Sequence, residues 1–373
     1  MSTHRTIILQ RTIAHYRVPV FEKLYERYGW IVVTSSGPPA DYLSTFDSDA
    51  PWLKRFPFKF RDPNNAHACT IPVGDILRDL KPKSVITEFS LNMNSTYDLL
   101  MRRRFGGGPK LVFWTHGYNA SRTFIGPKDI ALQYLAKALL SRADACVCYS
   151  AEGIEHLSSW MRRDRLFRAR NTQDISEPMR LYETLRTKAT NDGKTMLTVG
   201  RLTKTKRMDL LVEAYRAALH EMPRLKLKII GDGPERSSLE AAAADLPGVT
   251  FLGQIYEEAE LAKHFLSADL FIYAGKVGLA ANHALAYGLP VMIFEPPKRG
   301  PFHAPEHIYV VDGQTGIRVN PPTKASMTEA ICRYFSRDNP RAHFEPMILD
   351  YVRENIVLDR MIEDFAALHD FLR

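Results

Sequence analysis

Short apolar runs alternate with longer amphipathic stretches along the whole chain, and this alternation constrains the fold more than any other feature. In the first half the runs are TIILQ, WIVVT, SVITE, KLVFWT and ACVCYS, and in the second half they are TMLTVG, LKLKIIG, VTFLG, DLFIYA and PVMIF. Continuous apolar strands are typical of parallel sheets that helices cover on both faces. The pattern therefore predicts two doubly wound α/β domains.

Length and punctuation place the domain boundaries. The 373 residues exceed what one hydrophobic core usually supports. The periodicity breaks at ARNTQDISEP, so we predict an N-terminal domain over 1–172 and a second domain over 173–345. The C-terminal segment 346–373 has a helical pattern, and we expect it to pack back on the N-terminal domain.

Apolar runs and cysteines exclude several classes of protein. No apolar run reaches the roughly 18 residues that a membrane span needs, and MSTHRTIILQR lacks the apolar core of a signal peptide. We therefore expect a cytoplasmic protein. The four cysteines are too scattered for a disulfide scaffold, and the CVC pair has no second Cys/His pair to complete a zinc site.

The charge is unevenly distributed. Residues 1–175 carry 25 Lys and Arg against 16 Asp and Glu, whereas residues 176–373 carry 25 against 26. This excess favours an anionic partner, either a lipid surface or a phosphorylated substrate. The stretches LLMRRRF and SSWMRRDRLFRAR are typical of a peripheral membrane patch or of a solvated face over buried aromatic residues. Nucleic acid is not an expected partner, because no zinc-finger, basic-zipper or RNP-like motif is present.

Three segments of the second half suit a phosphate-bearing ligand. In TVGRLTKTKRMD, Arg201 and Lys206 follow a strand that ends at Gly200, which suits either a diphosphate or a solvated basic loop. In LKIIGDGPERSS, the Gly-Asp-Gly sequence allows a tight turn, and alone it indicates only a turn. In GKVGLAANHALAYGLP, a glycine-rich turn leads into a short helix, whose first N–H groups suit a phosphate.

In this order the blocks resemble the family-4 retaining glycosyltransferases of the GT-B fold. The resemblance rests on GRL with Lys206, IIGDGP, FLG, ADLF and HALAYGLP, and it covers about residues 195–320. It implies two Rossmann-like domains facing a central cleft. The implied activity moves a sugar, with retention, from a nucleotide-sugar to a glycan acceptor, lipid-linked or part of a surface polysaccharide, at the inner face of the membrane. Neither a metal nor a cofactor is implied.

The resemblance also assigns residues. Arg201 and Lys206 would hold the donor diphosphate, and the other donor-binding positions would be Gly200, Gly231, Asp232, Gly233, Gly278, Leu279, Ala280 and His283. The family commonly has two glutamates separated by seven residues in this last block. Here those positions are Gly275 and His283, so neither is acidic. A ring nitrogen of His283 could still hydrogen-bond a ribose hydroxyl, or the ring could simply be packed in the helix.

In the first half, candidates follow the ends of predicted strands. His116 is the expected catalytic-site residue of this domain, since family members often keep a histidine here, although a structural histidine is the alternative. The candidates for contact with the acceptor or the donor are His15, Tyr16 and Arg17, with Arg11 on the same loop, and an exposed loop without such contacts is the alternative. Glu88 ends a strand and would face the same region or cap a helix.

Two other functions remain open. A protein that keeps the nucleotide pocket without turnover would bind nucleotide-sugars and transfer nothing. A nucleotide-sugar 2-epimerase of the same fold would need acidic residues for elimination, and the candidates are Glu88 and Glu306. The sequence does not specify the base, the sugar, the linkage or the acceptor.

Overall fold

The computed structural model describes residues 6–36, 49–60, 69–117, 126–188, 194–296 and 303–373. Over these residues the chain divides into two α/β units. The first unit takes the chain up to Asp174 and then Leu358–Arg373, and the second takes Ile175–Val357.

In the described residues the first unit contains a central parallel sheet and a separate antiparallel pair of strands. Its strands are β1 (Thr6–Leu9), β2 (Ile31–Ser35), β3 (Leu53–Phe56), β4 (Lys59–Phe60), β5 (Cys69–Thr70), β6 (Ser84–Glu88), β7 (Lys110–Thr115), β8 (Ala145–Cys148) and β9 (Leu166–Arg168). Within the described residues seven of them pair in the order β3-β2-β1-β6-β7-β8-β9, and β4 pairs with β5. The order reverses between β1 and β6. Doubly wound sheets bind ligands outside the carboxyl ends of the strands at such a switch point.

The second unit repeats this design. Its strands are β10 (Thr195–Val199), β11 (Lys226–Ile230), β12 (Val249–Gly253), β13 (Leu270–Tyr273), β14 (Val291–Phe294) and β15 (Gly316–Val319). In the part of the unit that the structure describes they form one parallel sheet in the order β12-β11-β10-β13-β14-β15. The switch point lies between β10 and β13. The predicted pair of doubly wound α/β domains is thus confirmed.

Helices cover the faces of both sheets. They are α1 (Val18–Tyr28), α2 (Val73–Leu80), α3 (Asn94–Arg104), α4 (Pro127–Leu140), α5 (Ala151–Ser158), α6 (Ser176–Leu185), α7 (Met208–Ala218), α8 (Arg236–Ala242), α9 (Glu258–Ser267), α10 (Ala280–Ala286), α11 (Lys324–Phe335), α12 (Pro340–Asn355), α13 (Leu358–Asp364) and α14 (Ala366–Leu372). Prolines and glycines in the sequence set several of these helix bounds. Proline begins α4 and α12, where a missing N–H costs nothing, and Gly29 ends α1 in the left-handed conformation with φ +68°.

The C-terminal helices belong to the first unit. Phe365 of α14's N-terminal flank packs edge-on against the buried Trp30 with ring centroids 5.6 Å apart, and Met361 lies in the same apolar cluster. The half-buried ion pair of Arg170 with Asp364 joins this segment to the chain beyond β9, with Nε and Oδ2 2.8 Å apart. The predicted start of the C-terminal segment, residue 346, lies inside α12 of the second unit. The part of the C-terminal segment that belongs to the first unit begins at Leu358.

None of the helices in the described ranges is long and apolar enough to cross a membrane.

Candidate functional site

The loops that follow β10 and β13 meet at the switch point of the second sheet. The backbone N–H of Lys276 donates to the carbonyl oxygen of Thr205 over 2.8 Å. In the opposite direction the ammonium group of Lys206 donates to the carbonyl oxygen of Lys276, also over 2.8 Å. The two loops are therefore tied together beside the strand ends, where a doubly wound sheet binds its ligand.

Gly275 lies where these loops approach most closely. A Cβ atom at this position would lie 2.4 Å from the carbonyl carbon of Lys206 and 2.5 Å from the carbonyl oxygen of Thr205. Neither backbone atom can move without separating the loops, so only glycine fits. By the resemblance described above, Gly275 is expected to stand where the family commonly has a glutamate. In the structure, the backbone that carries Lys206 fills the space of that side chain.

Lys206 supplies a partly buried positive charge at this point. Its ammonium group lies over the ring of the buried Tyr273, 4.8 Å from the centroid. The pKa of Lys206 is lowered to about 8, mainly by burial and also by the charge of Lys276, whereas the charge of Glu306 opposes the shift. A desolvated ammonium attracts an anion more strongly than an exposed one, because little water screens it. The arrangement suits a bound diphosphate.

Arg201 provides a second cation of a different kind. It is exposed on the loop that follows β10, between Gly200 and the turn that ends at Lys206. A guanidinium stays charged at any ordinary pH and can bind two phosphate oxygens at once. The pair thus offers one exposed cation that can bind two phosphate oxygens and one partly buried point charge.

The glycines of the first two motifs hold their loops together. A Cβ atom on Gly231 would lie 2.0 Å from the carbonyl oxygen of Gly200, and one on Gly233 would lie 2.3 Å from that of Leu202. Leu202 N–H donates to the carbonyl oxygen of Asp232 over 2.9 Å. Predicted as donor-binding residues, these glycines have a clear packing role: they let the loops after β10 and β11 lie against each other.

Asp232 is held by its own turn. Its carboxylate accepts a hydrogen bond from the N–H of Gly233 over 2.6 Å and pairs with Arg236 over 3.1 Å. These two contacts lower the pKa of Asp232, in that order of size. Asp232 therefore carries a negative charge that α8 and the turn already stabilise.

His283 contacts two residues of α9. Its Nε2 lies 2.8 Å from a carboxylate oxygen of Glu258, to which Tyr287 also donates. The imidazole stacks on the ring of Phe265, with centroids 5.1 Å apart and planes within 6°. Burial raises the pKa of Glu258, but the hydrogen bonds from His283 and Tyr287 outweigh it and lower the pKa overall. Nε2 of His283 therefore has a hydrogen-bond partner within the protein. The predicted hydrogen bond of His283 to a ribose hydroxyl stays a prediction.

The glycine-rich turn remains accessible. Gly278, Leu279 and Ala280 are partly exposed at the start of α10. The N–H of Ala281 donates back to the carbonyl oxygen of Gly278 over 2.9 Å, so the turn is already folded. These residues present a formed surface beside the loop that carries Lys206 and Gly275.

At the switch point of the first unit, Arg11 and Glu88 form an ion pair. Arg11 follows β1 and Glu88 ends β6, and Nε of the arginine lies 2.9 Å from a carboxylate oxygen. Both guanidinium nitrogens take part, so the contact is bidentate. The predicted helix-capping role of Glu88 is not what the structure shows, because its carboxylate binds Arg11.

Arg17 is the centre of an aromatic cluster in the same unit. Its guanidinium lies 5.9 Å from the ring centroids of both Trp114 and Tyr149 and donates to the side-chain oxygen of Asn171 over 2.5 Å. His116 packs on Tyr149, with ring centroids 4.8 Å apart. His116 directly follows β7, Tyr149 directly follows β8, and Asn171 lies shortly beyond the end of β9. His15 and Tyr16 are exposed on the turn before α1.

Tyr149 and Asn171 were not selected as site residues from the sequence. Asn171 stands in NTQD at the predicted domain boundary, and Tyr149 directly follows the buried strand β8. The usable signal was positional, because residues that directly follow parallel strands gather at one edge of the sheet. Within the described ranges no group of three or more His, Cys, Asp or Glu side chains is placed to hold a metal ion.

Comparison with known proteins gives a family match within the second unit. Residues 193–337 match the family described as glycosyl transferases group 1. An α-monoglucosyldiacylglycerol synthase of Streptococcus pneumoniae is 34% identical over 108 residues, which are 27% of this chain and 24% of that protein. Across the curated relatives the aligned stretch covers between 16% and 37% of the relative's length.

Solved structures extend the likeness to the whole chain. Sucrose-phosphate synthase from Thermosynechococcus elongatus has a TM-score of 0.71 at 17% identity and covers 99% of both chains. The HepE protein of Anabaena, in complex with UDP and glucose, has a TM-score of 0.65 at 14% identity and covers 98% of this chain and 99% of its own. At these identities the likeness establishes the fold, which is that of the GT-B glycosyltransferases.

Proposed function

We propose that this chain, a GT-B protein whose residues 193–337 form a group 1 glycosyltransferase domain, transfers a sugar from a nucleoside-diphosphate sugar to a glycan acceptor with retention of configuration. The observation that carries the proposal is the fixed, partly buried ammonium of Lys206 at the switch point of the second sheet, with Arg201 on the same loop. Anionic oxygens of a diphosphate are the ligand that this pair of cations suits.

The chemistry requires these cations at the leaving group. As the bond between the anomeric carbon and the diphosphate oxygen breaks, negative charge builds up on that oxygen, and a preformed cation stabilises it. The acceptor hydroxyl then attacks from the same face and passes its proton to the departing phosphate. This route needs no general base on the protein and no metal ion.

The first unit is proposed to bind the acceptor. Arg17, His116 and Tyr149 are partly exposed at the carboxyl edge of the sheet, and Arg17 contacts the buried Trp114 and Asn171 behind them. Aromatic faces with hydrogen-bonding groups beside them suit the apolar faces and hydroxyls of a sugar.

An anionic membrane surface is the proposed location of the acceptor. Helices α3 and α4 share a groove whose lining includes Tyr97, Arg104 and Arg142. Several large apolar side chains are exposed on these helices. Phe105 is 76% exposed and Met101 is 53% exposed, directly beside the arginines that end α3. Apolar side chains flanked by arginines are typical of a peripheral membrane contact.

Vesicle binding tests this surface. The double variant Met101→Ser, Phe105→Ser is expected to bind vesicles rich in phosphatidylglycerol about 10-fold more weakly than the wild type, because two apolar side chains no longer enter the lipid. Co-sedimentation measures the effect. Tyr256→Ser, which removes an 85% exposed ring from the second unit, is the matched control and should bind normally. Equal binding of all three proteins would rule this surface out.

The pH dependence of nucleotide binding tests Lys206. Its pKa of about 8 lies below the ordinary value of 10.5, so the ammonium loses its proton from about pH 8 upward. UDP or GDP affinity is expected to fall by up to about tenfold per pH unit above this value. For stability the sign is opposite: the unfolded chain binds more protons between pH 8 and 10.5, so the free energy of unfolding rises there. Calorimetric titrations of the wild type and Lys206→Met, which should show no such slope, measure the effect.

Donor titration and transfer assays test the function itself. A panel of UDP-, GDP-, ADP- and dTDP-sugars is titrated into the wild type and Arg201→Ala. The proposal expects tight binding of one donor, weaker binding by the variant, and transfer to a lipid-linked glycan acceptor with the α or β configuration kept. Binding without transfer would identify a protein that has lost turnover. No binding of any donor would overturn the proposal.

A further inference from the structure

The second unit has a buried carboxylate beside the donor loops that the family's usual motif does not supply. Glu306 is 1% exposed, and one carboxylate oxygen lies 3.9 Å from a Cβ atom built on Gly278. Its negative charge raises the pKa of Lys206 against the larger effect of burial. Glu306 thus reaches the glycine-rich turn from outside it.

The backbone that carries Glu306 is fixed to the same turn. The N–H of Val277 donates to Nδ1 of His303 over 3.2 Å, and the N–H of Ala304 donates to the carbonyl oxygen of Val277 over 3.0 Å. Nε2 of His303 lies 2.9 Å from the carbonyl oxygen of Phe294, so this nitrogen carries the ring proton. Burial lowers the pKa of His303 to about 4, which keeps the ring neutral and the tautomer constant.

Arg318 holds the other side of this segment. Its guanidinium donates to the carbonyl oxygens of His307 and Val310 and pairs with Glu295 over 3.0 Å. Glu306 therefore lies between two anchored residues, and its position is set by tertiary contacts. A charged group is buried at such a cost only where the site uses it or compensates it.

We infer that Glu306 provides the carboxylate that binds a hydroxyl of the donor's transferred sugar, the role for which Gly275 has no side chain. The inference rests on the proposed function. A carboxylate accepts hydrogen bonds and donates none, as do the oxygens of a diphosphate, so it cannot bind the diphosphate that Lys206 attracts. Beside the glycine-rich turn it can bind only the hydrogen-bond donors of the ligand, and the hydroxyls of the ribose and of the transferred sugar lie on either side of the diphosphate. A comparison of the nucleoside diphosphate with the nucleotide-sugar separates these two sets of hydroxyls.

This assignment separates two contributions to affinity. The nucleoside diphosphate would depend on Lys206 and Arg201, and the additional contribution of the sugar would depend on Glu306. Glu306→Gln keeps the shape of the side chain and removes its charge, so a hydroxyl loses a charge-assisted hydrogen bond. We expect kcat/KM and the affinity for the nucleotide-sugar to fall about 10- to 100-fold, whereas UDP or GDP alone keeps its affinity within about threefold.

Calorimetry with paired ligands tests the inference. UDP with UDP-glucose and UDP-N-acetylglucosamine, and GDP with GDP-mannose, are titrated into the wild type, Glu306→Gln and the control Glu345→Gln. Glu345 is a half-buried carboxylate of the same unit that pairs with Arg186 over 2.6 Å, and its variant should leave the ratio of the two affinities unchanged. Thermal unfolding of each variant shows whether the unit is folded.

Each outcome decides between the two claims. If the wild type binds a donor and Glu306→Gln weakens the nucleoside diphosphate as much as the nucleotide-sugar, or weakens neither, the inference is overturned and the proposed function stands. If the wild type binds no donor, the proposed function is overturned and the inference with it. Deoxy-sugar donors give a second measurement. With the wild type, removing the hydroxyl that Glu306 binds should weaken donor binding by a similar factor. With Glu306→Gln, removing the same hydroxyl should weaken donor binding little further.

Discussion

Lys206→Met is expected to lower kcat for sugar transfer about 10²- to 10³-fold, the range found when one preformed stabilising group is removed from an active site. The ammonium is partly buried, lies on the Tyr273 ring and is tied to the carbonyl oxygen of Lys276, so it needs no rearrangement when charge develops on the leaving diphosphate. Methionine has a similar length and no charge. Steady-state kinetics with the donor found by titration measures the loss.

A neighbouring lysine provides the control. Lys204 is exposed on the same short turn, and Lys204→Met should keep kcat within about twofold because an exposed charge is screened by solvent. The backbone bond between Lys276 and Thr205 survives in both variants, so both are expected to fold. Full activity of Lys206→Met in a folded protein would show that the diphosphate binds elsewhere.

Gly275→Glu is expected to destabilise the second unit and abolish donor binding, although it introduces the residue that the resembling family commonly has. The Cβ atom would overlap the carbonyl group of Lys206 at 2.4 Å, and relief of that overlap separates the loops that follow β10 and β13. We expect the free energy of unfolding to fall by about 3 kcal/mol or more. For a unit of this size that lowers the midpoint of thermal unfolding by roughly 10 °C.

Gly278→Ala is the matched control for stability. It lies in the same segment, and its Cβ atom would meet nothing closer than 3.9 Å, so its unfolding midpoint should stay within about 2 °C of the wild type. Differential scanning calorimetry and UDP titration of both variants make the comparison. If Gly275→Glu kept its stability and bound the donor more tightly, the contact between the two loops would not be a fixed feature of the unit.

The fold was predictable because its signal is local. Each parallel strand is apolar on both faces, and each connecting helix has its own pattern, so SVITE, KLVFWT or DLFIYA indicates a strand without knowledge of its neighbours. The ordered GRL, IIGDGP and HALAYGLP blocks also indicated the family, which the comparison with known proteins bears out. Arg201 and Lys206 were selected for the same reason: two cations follow one strand end.

Contacts between distant segments were not predictable. Sequence spacing places Gly275 and His283 where glutamates are common, but the backbone of Lys206 that excludes a side chain at Gly275 is 69 positions earlier in the chain. Likewise Glu258, which engages His283, and Arg11, which binds Glu88, lie on other elements. Sheet order decides such pairings, and no local pattern encodes it.

The sequence by itself therefore determined the two α/β units, the family of the second unit and the loop that carries its cations. Only the tertiary structure decided which side chains meet at the strand ends: the closed contact at Gly275, the cluster around Arg17, and the carboxylate of Glu306 beside Gly278. The physical reason is the range of the interactions. Strand and helix formation depend on residues a few positions apart, whereas a binding site at a switch point is assembled from loops that the parallel crossovers bring together.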